Sequence, residues 1–155
     1  MKTLLRMCAG FTIAILGQAC AEEVAIIVNK ANPVDNLTIA QVRKMVLGEQ
    51  GQWPNGKQVM VLLRTPGAVE RLAALQVICG MTEPEFNQYF LHASFNGANA
   101  AVPKSLGSAA LLRQLVTSVP GAIGFVAVSD VNDSVKVVKL EGQSPGEADY
   151  KLNKK

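Results

Sequence analysis

The sequence predicts an α/β domain, a sheet flanked by helices. Three observations carry that prediction. Apolar, β-branched runs alternate with segments of helical periodicity. Two helix starts are marked by capping boxes. Gly or Pro-Gly punctuates most of the junctions between them.

Val24-Ala25-Ile26-Ile27-Val28 is a continuous apolar run, which suits a strand covered on both faces. Asn29 to Asn36 reads as a loop, with Pro33 disfavouring helix in the residue before it. Thr38 with Gln41 three residues on makes a capping box, so a helix starts there. Ile39, Val42 and Val46 give it one buried stripe, and Gly48 is its natural end. Trp53-Pro54-Asn55-Gly56 is a turn, and Gln58 to Leu63 is a second apolar strand. A strand, a helix and a strand in close succession predict a right-handed βαβ unit with parallel strands.

Arg64-Thr65-Pro66-Gly67 follows directly. A helix then runs to about Cys79, with Val69, Leu72, Ala73 and Leu75 apolar and Gly80 closing it. Thr82 and Glu85 form the second capping box, opening a helix that carries Phe86, Tyr89 and Phe90. Ser94 to Lys104 reads as irregular. Ser105-Leu106-Gly107-Ser108 leads into a helix with Leu111, Leu112, Leu115 and Val116, broken by Pro120-Gly121. Ala122 to Val128 is a third strand. Val135 to Leu140 is a fourth, with Lys136 and Lys139 marking a sheet edge. Glu141 to Lys155 is polar and reads as a loosely held tail.

The chain has 155 residues, 49% apolar and 17% charged. That is one domain with a real core, and it excludes a disordered polyelectrolyte. A net charge of +3 is too small for a nucleic-acid binder. Residues 1–21 read as a cleaved secretory signal. Lys2 and Arg6 give a positive start, Met7 to Leu16 is apolar, and Ala19-Cys20-Ala21 offers small residues at an A-x-A site. A permanent span needs about 20 apolar residues, more than this run supplies. Cys20 as a lipid-attachment cysteine is the minor alternative, with Gly17 standing where such signals usually carry Leu. Removing residues 1–21 from 155 leaves 134, with 13 basic against 12 acidic residues and Cys79 as the one thiol. The organisation expected is therefore a signal at 1–21, an α/β domain at 22–140 and a polar tail at 141–155. The compartment expected is a periplasm, and the domain has no intrachain disulfide.

Few residues offer chemistry. The best candidate is Arg64 to Glu70, where a strand ends in an arginine and a Pro-Gly turn feeds a helix. Helix starts present unpaired N–H groups, and a guanidinium adds a planar fork suited to phosphate, sulfate or carboxylate. The plain alternative is a solvated arginine at a strand end. Ser105 to Ser108 is the second candidate, again at a helix start, where Ser108 also reads as an ordinary N-cap. His92 is the one histidine and has no carboxylate in its local sequence. No G-x-S-x-G motif is present, and one His with one Cys does not make a metal site. Cys79, on an apolar helix, reads as a core thiol. No cofactor and no enzymatic activity are expected.

Three stretches carry a resemblance. VAIIVNKANPVDNLTIAQVRKMVLGEQGQW (Val24 to Trp53) and VPGAIGFVAVSD (Val119 to Asp130) resemble characteristic stretches of phosphate substrate-binding proteins of ABC transporters. Between them, VLLRTPGAVERL falls where that family carries its anion-binding loop. The resemblance implies one three-layer lobe of the periplasmic-binding-protein type, with a mixed, mainly parallel sheet of four to five strands flanked by helices. It is the second lobe of the family's two, so this chain resembles the small, single-lobe members. The resemblance implies Arg64 as the ligand arginine of the loop; with the two helix starts read above, the expected ligand residues are Arg64, Thr65, Gly67 and Ala68 from the first loop and Gly107 and Ser108 from the second. Ala68 falls at the family's ligand serine. Glu70 falls at a hydroxyl position, where a carboxylate repels phosphate.

Two functions follow as expectations. One is a periplasmic solute-binding module that holds phosphate or another small oxyanion weakly beside Arg64, partnered by an ABC transporter membrane component or a second lobe. The other is a ligand-free relative that serves as an envelope protein–protein interaction module.

Overall fold

In a computed structural model, which describes residues 22–153, the run Val24–Val28 forms a strand, β1, with all five residues buried. The expected signal at 1–21, Cys20 included, lies outside the described residues. β1 alternates its side chains between two cores. Val24, Ile26 and Val28 face one, and Ala25 and Ile27 face the other.

Five further strands complete one sheet: β2 (Asn36–Leu37), β3 (Met60–Arg64), β4 (Lys104–Leu106), β5 (Ala122–Ala127) and β6 (Lys136–Leu140). Their order is β2-β6-β1-β5-β3-β4. Pairings β2–β6, β3–β4 and β3–β5 are parallel, whereas β1 runs antiparallel to both β5 and β6. The fold class is thus as expected, a mixed and mainly parallel sheet between helical layers.

The helices are α1 (Ile39–Val46), α2 (Val69–Ala73), α3 (Glu83–Phe95) and α4 (Ala109–Ser118). Both capping boxes form. Thr38 accepts from the Gln41 N–H while Gln41 accepts from the Thr38 N–H, and Thr82 and Glu85 repeat the pattern. α2 runs on into a π-helical turn, Ala74–Cys79, which Gly80 closes at φ +65°. One core lies under α1, the α2 segment and α3. It joins Val42, Val46, Leu75, Ile78, Phe86 and Phe90 to Leu63 and Phe125. The other lies under α4, where Leu112 and Val116 meet Leu62, Ala122 and Val126. Cys79 sits in the first core, and burial pushes its thiol up to about 11.

Four details correct the sequence expectations. β1 and β3 do not form a parallel βαβ pair, because β5 lies between them and β1 opposes it. A doubly buried apolar run encodes burial but not strand direction. β6 is not the edge, since Asn36, expected to end a loop, and Leu37 pair beside it as β2. Lys104–Leu106, expected as irregular or as a lead into α4, forms the edge strand β4. The C-terminal segment is not loose either. Tyr150 and Leu152 are buried, the Val24 N–H donates to the Leu152 carbonyl at 3.0 Å, and the Tyr150 hydroxyl donates to the Val24 carbonyl at 2.7 Å. Two apolar anchors among polar residues suffice to dock it. No helix among the described residues is long and apolar enough to cross a membrane.

Candidate functional site

The two loops singled out from the sequence meet at one end of the sheet. β3 and β4 are parallel, with Arg64 opposite Leu106, so both loops leave from neighbouring carboxyl ends. The Thr65 N–H donates to the Leu106 carbonyl at 3.1 Å, which extends the ladder one residue past the strand. This is the position where α/β sheets usually bind ligands.

Thr65-Pro66-Gly67-Ala68 is a tight turn, closed by the Ala68 N–H donating to the Thr65 carbonyl at 3.2 Å. Gly67 has φ +90°, the left-handed value that the third position of a type II turn requires. Thr65, Pro66 and Gly67 are exposed. Ala68 is the N-cap of α2 and makes no side-chain cap, so it contributes only backbone. The first helical rung is the Leu72 N–H to the Ala68 carbonyl, which leaves the preceding N–H groups outside the α-helical ladder.

Arg64 faces inward from the end of β3. Its Nη1 lies 3.8 Å from Glu70 Oε1, and both side chains are mostly buried. No group among the described residues accepts from its buried Nε. At 3.8 Å the carboxylate neutralises the guanidinium without hydrogen-bonding to it.

Arg71, which sequence reasoning missed, is the saturated arginine of the cluster. It grips Glu83 with two bonds, Nε to Oε2 at 2.8 Å and Nη2 to Oε1 at 2.6 Å. Its Nη1 donates to the Arg64 carbonyl at 3.1 Å and to Ser105 Oγ at 3.0 Å. The guanidinium also lies over the Phe86 ring, 5.6 Å from its centroid. One side chain thereby ties α2 to β3, β4 and α3. The local sequence carried one signal, a charged residue beside Val69 and Leu72 on a helix that must bury a face. Glu83, twelve residues on in another helix, was not readable as its partner.

In the second loop, Ser108 Oγ accepts from the Leu111 N–H at 3.1 Å as the N-cap of α4. Its hydroxyl is thus already engaged in the role that the plain alternative gave it. Gly107 is exposed, with open space where a Cβ would stand. Of the six residues expected at the site, Thr65, Gly67, Gly107 and Ser108 are exposed, Ala68 is half-buried, and the Arg64 side chain is mostly buried. A groove of about 390 Å³ lies elsewhere, at the opposite end of the strands, lined by Val59, Met60, Val119, Pro120 and Gly121 among others. His92 is exposed on α3. Among the described residues no group of three or more His, Cys, Asp or Glu side chains gathers as a metal site would need.

No family model matches the sequence. Solved structures do. An ABC-type phosphate transport receptor from Vibrio cholerae is 24% identical, with a TM-score of 0.65 over 81% of this chain and 49% of its own length. A phosphate ABC transporter substrate-binding protein from Clostridium perfringens, solved with bound phosphate, is 25% identical, with a TM-score of 0.66 over 81% of this chain and 47% of its own. PstS from Borrelia burgdorferi, 11% identical, aligns at a TM-score of 0.68 over 87% and 55%. The chain spans about half the length of each. The described residues therefore share the fold of one α/β lobe of these solved phosphate-binding proteins.

Proposed function

We propose that the protein is a periplasmic solute-binding module that holds phosphate or a similar oxyanion weakly at the carboxyl ends of β3 and β4. One observation carries this reading. Arg64 ends β3 with a mostly buried guanidinium whose Nε no described group accepts from, next in the chain or across the ladder to the exposed Thr65–Gly67 turn and the Gly107–Ser108 loop. A tetrahedral oxyanion supplies the acceptors that a guanidinium fork lacks here. The fold shared with phosphate receptors supports the same ligand class. The Thr65–Gly67 turn and the Gly107–Ser108 loop are exposed, and charged contacts in water are screened over about 8 Å at physiological salt, so affinity is low. An ABC transporter membrane component or a second protein lobe is the partner that would close the cleft.

Calorimetry with phosphate and sulfate tests the proposal. Binding in the millimolar range, weakened by added salt and lost in Arg64→Ala, is expected. No heat at millimolar ligand, or unchanged binding in Arg64→Ala, rejects it.

The Glu70 carboxylate facing Arg64 favours a second reading, a relative that has lost its ligand and serves as an envelope interaction module. Light scattering and crosslinking separate the two readings. A strictly monomeric protein with no captured partner and clear oxyanion binding counts against the second.

A further inference from the structure

We propose that Glu70 is a built-in occupant of the Arg64 site, a carboxylate that stands in for the oxyanion and must be displaced before one binds. The inference rests on the oxyanion reading above and names what regulates that site.

Two arginine–glutamate pairs sit side by side in this cluster, and they differ in kind. Arg71 and Glu83 share two hydrogen bonds of 2.6 and 2.8 Å, and Arg71 spends its remaining Nη1 donors on Ser105 and the Arg64 carbonyl. That pair is structural, with little donor capacity left for a ligand. Arg64 and Glu70 approach only to 3.8 Å, one atom to one atom, and Arg64 Nε has no acceptor among the described residues. Both side chains are mostly buried, so each needs an opposite charge nearby. Charge holds this pair together, and its hydrogen-bonding capacity stays unspent. A phosphate oxygen pair can bond the Arg64 fork as Glu70 does not. To do so it must overcome a carboxylate that already neutralises the guanidinium and repels an incoming anion.

The consequence is directional. Glu70→Gln keeps the side-chain shape and removes the charge. It should bind inorganic phosphate at least tenfold more tightly than the natural protein, a change of about 1.4 kcal/mol. Without phosphate it should melt lower, because Arg64 is left part-buried and unpaired, and phosphate should restore more of its Tm than it adds to the natural protein. The double variant Arg64→Ala/Glu70→Gln should lose both effects. Glu70→Asp keeps the charge and should gain no affinity. Glu70→Thr removes the carboxylate with a smaller side chain and gives the same comparison should Glu70→Gln not fold.

Calorimetry and thermal melting with inorganic phosphate separate the outcomes. Tenfold or better tightening that depends on Arg64 supports the proposal. If Glu70→Gln binds phosphate through Arg64 while the natural protein does not, the oxyanion function falls and the role of Glu70 stands. If the natural protein binds and Glu70→Gln binds no better, or Glu70→Asp gains as much as Glu70→Gln, the role of Glu70 falls and the function stands. Absence of binding in every protein overturns both.

Discussion

Replacing Arg71 with Met tests whether the cluster at the carboxyl end of β3 is built as described. The Arg71 side chain is only 6% exposed, and its guanidinium makes four hydrogen bonds, two of them to Glu83. Met keeps the length and apolar stem but supplies none of the donors. Removing one partner of a buried ion pair costs about 3–5 kcal/mol. The Glu83 side chain is 23% exposed, so its carboxylate regains some water, and a loss of about 2–4 kcal/mol is expected. With a urea m-value of about 2 kcal/mol/M, the unfolding midpoint should fall by about 1–2 M. Arg64→Met is the internal comparison. It removes a 3.8 Å contact without a hydrogen bond but leaves the mostly buried Glu70 carboxylate unpaired, and should cost less than Arg71→Met, about 1–2 kcal/mol. Equilibrium urea unfolding followed by circular dichroism measures both, and a cycle of Arg71→Met with Glu83→Gln isolates the pair, with a coupling above about 1 kcal/mol expected. If Arg71→Met costs no more than Arg64→Met, or the coupling is near zero, the distinction between a saturated and an unsaturated arginine is wrong.

Other outcomes follow from single contacts. In Gly121→Ala the new Cβ would stand 1.8 Å from the Gln58 carbonyl oxygen, and the Gly121 carbonyl accepts from both the Met60 N–H and Trp53 Nε1. A loss above about 3 kcal/mol is expected in denaturant melts, and a variant within about 1 kcal/mol of the natural protein would contradict the packing. Burial holds the Tyr150 phenol well above its ordinary value of 10.0. The folded chain therefore keeps a proton that the unfolded chain releases, so this contribution is whole below about pH 10 and shrinks as pH rises beyond it. Urea melts through the alkaline range should show that decline in the natural protein and a shallower one in Tyr150→Phe. Cys79, buried with its thiol pushed up to about 11, should not react with a disulfide reagent at about pH 8 until the chain unfolds. Rapid reaction of the native protein would show that the π-helical turn opens.

Local signals placed the elements well because each is a short-range device. The Thr38–Gln41 and Thr82–Glu85 boxes are three-residue patterns, and both form as expected. Pro120-Gly121 ends α4, and Gly121 also lets β3 approach through Gln58, a contact no local pattern encodes. Sheet order was harder to read, since it depends on which apolar runs meet after the chain has turned several times. β1 looks the same from sequence whether its neighbour runs with it or against it. Short elements escaped for a related reason. Asn36–Leu37 and Lys104–Leu106 become strands only because β6 and β3 offer edges to pair with. Tyr150 and Leu152 were hidden by the polar residues around them, although two side chains were enough to dock the segment on β1.

The site divides along the same line. The turn chemistry of Thr65-Pro66-Gly67 and the capping role of Ser108 are local, and both were open to view. The balance of charge was not, because it depends on which carboxylate reaches which guanidinium. Arg64 and Arg71 are seven residues apart, and Glu70 and Glu83 thirteen. Sequence alone permits any pairing among them. Packing α2 against β3 and α3 sends Glu83 to Arg71 and leaves Glu70 to face Arg64 at a distance too long to bond. One arginine is thereby consumed by the fold, and the other is neutralised but not satisfied. That residual donor capacity, not the number of basic residues, is what an oxyanion would meet. The four charges sum to zero, so long-range attraction between the cluster and an anion is weak. Any selectivity must come from short-range geometry at Arg64.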